Sequence, residues 1–274
     1  MIPYIFSVAL ILLTAIYVRY IEPNWLQCRF VPVVIKDLPE SFDGYRIALL
    51  SDFHYPRWTT ASFIRKAIAY TNTFDADLLA VSGDLCDRKR RAPKEAPNLS
   101  GLFDHAKAPD GIVGVLGNHD HWLDAPGIRC ELANRTPLRL IENTSLYIAR
   151  GKDRICIGGV GDLWRGVVTP DLAFADVPPE IPRILLSHNP DVAEDVPASV
   201  RIDLQLSGHT HGGQVRIPFG PALHVPSRHG DKFSAGLVKG KHRWVYTTRG
   251  ICSVRRVRFC CRPEVTCIIL RRPA

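Results

Sequence analysis

Hydrophobic residues fall into three kinds of run along this chain, and each kind predicts a different element. Short, nearly uninterrupted blocks occur at Ile47-Ala48-Leu49-Leu50, Leu78-Leu79-Ala80-Val81, Ile112-Val113-Gly114-Val115-Leu116, Ile184-Leu185-Leu186 and Leu204-Gln205-Leu206. Blocks of that length predict strands buried on both faces. Ile64, Ala67, Ile68 and Thr71 recur at helical spacing after Thr59-Thr60-Ala61 and predict a helix. Ile2 to Val18 is almost wholly apolar and, with Tyr20 and Ile21, reaches the ~20 residues of a membrane-spanning helix.

Weaker patterns fill the gaps. Val31 to Ile35 predicts an edge strand, and Lys94 to Lys107 and Asp124 to Asn134 predict helices. Leu146 to Ala149 and Ile155 to Val160 predict a hairpin turning at Gly151-Lys152-Asp153. Val215 to Ile217, Phe233 to Val238, Trp244 to Thr248 and Val265 to Leu270 predict a second sheet packed on the first. Strands alternating with helices imply α/β packing. The expected division is an anchor over residues 1–21, a connector with the first strand over 22–45, and one catalytic domain over 46–274.

Composition narrows the class. The chain has 274 residues, 46% hydrophobic and 23% charged, which suits a globular protein with a substantial core. Its net charge of +8 implies an anionic partner: a nucleic acid, an acidic membrane surface or a phosphorylated substrate. The eight cysteines contain no Cys-x-x-Cys pair and read as reduced, largely buried thiols. Zinc bound by Cys252, Cys260, Cys261 and Cys267 is the alternative, although their spacing is unusual for it. No basic residue precedes the apolar start, whereas Arg19, Arg29 and Lys36 follow it. That asymmetry predicts an uncleaved inner-membrane anchor with the domain in the cytoplasm. Arg88-Lys89-Arg90-Arg91 reads as a solvated loop or a contact for phosphates. Arg249, Arg255, Arg256, Arg258, Arg262, Arg271 and Arg272 make a basic tail, suited to an anionic bilayer better than to nucleic acid.

Chemistry-bearing residues follow the core strands at once. These are Asp52 and His54, Asp84 and Asp87, Asn118-His119-Asp120, His188, and His209 with His211. Open α/β sheets bind ligands at the carboxyl ends of their strands. Carboxylate, imidazole and amide oxygen form a ligand set for Mn, Fe, Zn, Ni or Mg. One such cluster would be unremarkable; five, each at a strand end, point to a metal site.

Asp-x-His, Gly-Asp-x-x-Asp, Gly-Asn-His-Asp, a lone His and Gly-His-x-His occur in this order from Arg46 onward, and the series resembles the calcineurin-like metallophosphoesterases. The resemblance implies a four-layer α/β/β/α sandwich of two mixed sheets flanked by helices. It also implies two divalent metal ions, one held by Asp52, His54, Asp84 and His211 and the other by Asp84, Asn118, His188 and His209. Asp84 would be shared, His119 would be the catalytic histidine and Asp87 would orient it, with Asp120 as the rival for that role. His121 is expected to be peripheral, and Asp162 either binds substrate or caps its loop. Leu186-Ser187-His188-Asn189-Pro190-Asp191 and Tyr246-Thr247-Thr248-Arg249-Gly250 are similar to a membrane-associated bacterial branch that includes UDP-2,3-diacylglucosamine hydrolases of lipid A synthesis. That similarity implies hydrolysis of a phosphodiester or diphosphate, with a lipid-linked phosphorylated substrate as the sharper expectation.

Overall fold

A computed structural model describes residues 2–88 and 91–273, so Lys89 and Arg90 of the basic run lie outside the described residues. In chain order the elements are α1 (Ile2–Ile16), β1 (Gln27–Val34), β2 (Arg46–Leu50), β3 (Tyr55–Pro56), α2 (Ala61–Asn72), β4 (Leu78–Ser82), β5 (Cys86–Asp87), β6 (Ile112–Val115), α3 (Asn118–Arg135), β7 (Leu138–Leu140), β8 (Thr144–Arg150), β9 (Asp153–Gly159), α4 (Pro170–Ala173), β10 (Arg183–Leu186), α5 (Val192–Asp195), β11 (Leu204–Ser207), β12 (Gly236–Lys239), β13 (Trp244–Thr247) and β14 (Glu264–Arg271). Two six-stranded mixed sheets result, ordered β1-β14-β2-β4-β6-β7 and β12-β13-β11-β10-β9-β8.

The layering follows from side-chain alternation along strands. Ala48 and Leu50 of β2, with Leu79 and Val81 of β4, pack against Ile64 and Ile68 of α2 and Ile128 and Leu132 of α3. Ile47, Leu49, Leu78 and Ala80 point the other way, onto Ile157, Ile184, Leu186, Leu204 and Leu206 of the second sheet. Cys156 and Leu185 on that sheet's outer face meet Phe174 and Val192. Both faces of the central strands are therefore covered, which is why their sequences read as unbroken apolar blocks. The layers run helix, sheet, sheet, helix, as expected. Thr60 caps α2 by accepting the Phe63 amide at 3.2 Å.

Several expectations need correction. The segment around Lys94 to Lys107 forms turns rather than a helix. Pro97 removes an amide from the middle of it. Its neighbouring amides find side chains instead: Ala96 donates to Asp124, Leu99 to Glu131 and Ser100 to Asn98. Helix α3 starts earlier than expected, at Asn118, and kinks at Asp124 (φ −169°, ψ 76°) ahead of Pro126. Asp124 accepts the Gly127 amide at 3.1 Å and so caps the second segment. Val215 to Ile217 makes only isolated bridges, and β14 joins the first sheet, between β1 and β2. The second sheet instead begins with the hairpin β8–β9.

The apolar N-terminus forms a 15-residue α-helix that continues as a five-residue π-helix, Tyr17–Ile21. No helix among the described residues is long and apolar enough to cross a membrane. The end of this segment is held by the domain. The buried Glu22 carboxylate accepts the amides of Cys260 and Cys261, and Arg258 N donates to Val18 O at 3.2 Å.

Arg258 is not part of a basic surface. It is fully buried and donates to the carbonyls of Arg249, Cys252, Cys261 and His211. Arg249 is half-buried beside Glu264, and Arg262 stacks on Trp25 at 3.9 Å. Replacing Arg258 with Met would strand several buried carbonyls. Urea unfolding of Arg258→Met should show a loss of at least about 3 kcal/mol, since each unmet buried polar group costs about 1–3. A loss within about 0.5 kcal/mol, as for an ordinary surface change, would contradict this reading of the tail.

Candidate metal centre

The five ligand-bearing blocks follow β2, β4 and β6 in one sheet and β10 and β11 in the other. Their carboxyl ends meet at one edge of the sandwich, so neither sheet alone holds the whole set. Asp52, His54, Asp84, Asn118, His188, His209 and His211 are all buried there. Five of them, Asp52, His54, Asp84, His209 and His211, have φ between 46° and 70°. Left-handed backbone is uncommon for side-chain-bearing residues and clusters at functional sites.

Tight packing completes the cradle. A Cβ on Gly117 would stand 2.3 Å from Asp84 Oδ1, and one on Gly208 would stand 1.9 Å from Ser51 Oγ. Only glycine admits so close an approach.

One carboxylate oxygen lies at the centre. Asp84 Oδ2 is 3.5 Å from His54 Nε2 and 3.2 Å from His188 Nε2. His54 Nε2 is in turn 3.2 Å from His211 Nε2, which lies 3.5 Å from Asp52 Oδ1. On the other side His188 Nε2 is 3.2 Å from His209 Nδ1. Backbone bonds aim the carboxylates. The His209 amide donates to Asp52 Oδ1 at 3.1 Å, and the His119 amide to Asp84 Oδ1 at 2.8 Å. His188 Nδ1 contacts Ser82 O at 2.8 Å, which directs its other nitrogen at Asp84.

Imidazole nitrogens packed against one another and against two carboxylates call for a cation. Donor atoms of Asp52, His54 and His211, and those of Asp52, Asp84 and His188, lie within 4.8 Å of one another in each set. Asn118 Oδ1 is buried without a hydrogen-bond partner. Such an orphaned oxygen is costly unless something binds it. The residues thus fit a metal centre. No cysteine belongs to a metal-capable group among the described residues, so the zinc alternative falls. Five of the eight cysteines are buried and all are free thiols, while Cys28, Cys130 and Cys260 are exposed.

Charge is unevenly distributed in the cluster. Burial opposes ionisation of Asp84, but His188 and His54 hold its carboxyl well below the usual range. Burial likewise opposes a cation on His188, yet Asp84 outweighs it and lifts the imidazole to about 10. Burial and the His188 charge push His209 down to about 3.

His119 stands at the mouth. Its Nδ1 is 3.4 Å from Asp87 Oδ2, and that partner raises the imidazole against the opposing effect of burial. Asp87 also binds Arg57 at 3.2 Å. Asp120 instead accepts the amides of Leu85, Cys86 and Gly117, so it fastens loops and does not orient His119. Asp162 accepts the Trp164 and Arg165 amides, both at 2.9 Å, and therefore caps its loop. His121 is 4.0 Å from Glu142, outside the cluster.

Two cavities meet at His119. One, of about 230 Å³, reaches Asp84, His209 and His211; the other, of about 320 Å³, is lined by Arg57, Arg88, Lys94 and Trp122. Trp122 lies 4.8 Å from the His119 ring and Trp164 4.5 Å from that of His209. Trp122 and Arg57 were not singled out from sequence. For Trp122 the signal was its i,i+3 spacing from His119 on α3.

Comparison with known proteins agrees with this geometry. The calcineurin-like phosphoesterase family model matches residues 45–213. Phosphodiesterase YaeI of Escherichia coli is 33% identical over 259 residues, covering 93% of this chain and 92% of that protein. UDP-2,3-diacylglucosamine pyrophosphatase LpxG of Chlamydia trachomatis is 27% identical over 314 residues, covering 92% of each. A transmembrane protein with metallophosphoesterase domain from Danio rerio is 28% identical over 255 residues, covering 88% of this chain and 56% of that one. Strand-end carboxylates and imidazoles that converge on Asp84, a family match across most of the domain and a relative one-third identical along nearly its full length lead to one conclusion: the chain belongs to the calcineurin-like phosphoesterase family and is a metal-dependent hydrolase of phosphate esters.

Proposed function

We propose that this hydrolase cleaves a phosphodiester or diphosphate in a lipid-linked substrate, from a position on the membrane. The observation that carries the catalytic part is the single Asp84 oxygen set between His54 and His188. It supports Asp84 as the ligand shared by two divalent ions. Asp52, His54 and His211 complete one ion's set, and Asn118, His188 and His209 the other's. Bound there, such a pair neutralises phosphate oxygens and lowers the pKa of an attacking water.

The chain's own residues supply the rest. His119, with Nδ1 held by Asp87, keeps Nε2 for the leaving oxygen and protonates it as the P–O bond breaks. Arg57, Arg88 and Lys94 line the neighbouring cavity and suit a second phosphoryl group on the leaving side. A diphosphate meets that arrangement better than a simple diester does. The lipid part rests on the likeness to LpxG and on the exposed apolar residues Leu10 to Leu13 and Ile16 of α1, which suit membrane attachment. Residues 1–21 then serve as a membrane-attached segment and 46–274 as the catalytic domain.

Asp84→Asn should lose bound metal and at least about 100-fold in hydrolysis of bis(p-nitrophenyl) phosphate, the scale of removing one electrostatic stabiliser. Full activity with full metal content would sink the shared-ligand reading. His119→Ala should retain its metal and lose about 10²–10⁴-fold, as expected of a general acid. Turnover of vesicle-borne UDP-2,3-diacylglucosamine at least about tenfold more efficient than that of the soluble diester is expected of a substrate bound beyond its scissile bond. Equal efficiency would remove the lipid part alone.

A further inference from the structure

Directly after the last metal-binding block the chain makes a loop, residues 215–226, that the catalytic reading does not use. Its tip is apolar and fully outside the fold: Phe219 is 111% exposed, flanked by Ile217 at 49% and Leu223 at 67%. The loop is nonetheless built rigidly. Ile217 N donates to Pro221 O at 3.0 Å, Gly220 N to Ile217 O at 2.8 Å and Leu223 N to Val215 O at 3.0 Å. The Arg216 guanidinium ties its base to Gly212 O and Asp231. A loop with satisfied backbone that holds a phenyl ring out in water is placed for a partner.

Its neighbours identify the partner's chemistry. Arg216 N donates to Phe259 O at 3.0 Å and Phe259 N to Gln214 O at 2.9 Å, so the loop's base pairs with the 258–259 backbone. The adjacent amide, Arg258 N, donates to Val18 O at the end of the N-terminal helical segment. The exposed apolar helix and the apolar tip thus leave the domain from adjoining backbone. Beside the end of the helical segment stand Arg255 and Arg256, exposed and in no ion pair among the described residues; the Arg19 guanidinium donates to both of their carbonyls. An apolar wedge beside unpaired guanidinium groups complements the acyl–headgroup boundary of an anionic bilayer. Like charge on a second copy would be repelled there.

The same loop edges the site. His224 and Pro226 of the loop, with Gln214 before it and Val254 beside them, line the cavity that reaches Asp84 and His211. We propose that Phe219, Ile217 and Leu223 insert into an anionic bilayer while Arg255 and Arg256 meet its phosphates, so that the mouth of the metal centre opens at the lipid surface. The proposal rests on the membrane-borne reading above and deepens it, because the substrate would reach the centre from the plane of the bilayer.

The test uses the full chain carrying Phe219→Trp, with the wild-type emission subtracted. Vesicles are phosphatidylcholine alone, or three parts phosphatidylcholine to one of phosphatidylglycerol, with and without chains brominated near the headgroup. The expected result is a blue shift and loss of about half the added emission to brominated anionic vesicles, as for a side chain ~5–10 Å below the headgroups, and less with the neutral ones. Unchanged emission in every vesicle would overturn the proposal. So would a blue shift that follows protein concentration without lipid, which would assign the tip to contact between copies. The readout does not pass through catalysis, so failure to cleave a lipid-linked diphosphate would sink the substrate reading and leave this result standing.

Discussion

A buried carboxylate placed among imidazoles is the constraint on which the rest of this fold depends. Asp84 loses its hydration on burial, a cost that folding sustains only if positive charge is brought to it. His188 and His54 come from a different sheet and a different strand to stand beside its Oδ2. Neither sheet alone brings both histidines to it. The packing of Ile47, Leu49, Leu78 and Ala80 onto Ile157, Ile184 and Leu206 therefore does more than exclude water. It sets the distance between the halves of the centre.

The local backbone bears the cost of that convergence. Asp52, His54, Asp84, His209 and His211 sit in left-handed conformations, and Gly117 and Gly208 leave no room for a methyl group beside Asp84 and Ser51. Such strain persists only when the surroundings over-determine it. Here they do: Asp84 accepts the His119 amide, Asp52 accepts that of His209, and Asp120 gathers the amides of Leu85, Cys86 and Gly117. The loops are fastened by the same carboxylates they present.

These properties decide what was legible in the sequence. Strands β2, β4, β6, β10 and β11 are buried on both faces, so their composition announces them, and an Asp, Asn or His stands shortly after each. Membership of a sheet is not written locally. The apolar run of β14 would serve either sheet, and its place between β1 and β2 is set by backbone pairing across more than two hundred residues of chain, as in Thr266 with Leu49. The segment after Pro93 was misread because helix-favouring residues there lose to side chains of α3 that take their amides. Arg258 was misread because charge alone does not reveal a cluster of carbonyls waiting inside.

Arg258 also shows how a distant end of the chain reaches the centre. Its guanidinium binds the carbonyl of His211, while its own amide holds Val18. Cys261 donates its thiol toward the same His211 carbonyl, and its amide is fixed by Glu22. Two short hydrogen-bonded paths thus join the end of the N-terminal helical segment to the backbone of His211. The Glu22 carboxylate, buried 238 residues away in sequence from Cys260, has no reason to be inside unless those amides meet it. The end of the helical segment, at Val18 and Glu22, is consequently tied to the backbone that supports His211. Arg258 and Glu22, each buried and each bonded across more than two hundred residues of chain, therefore join the N-terminal segment to the domain close behind His211.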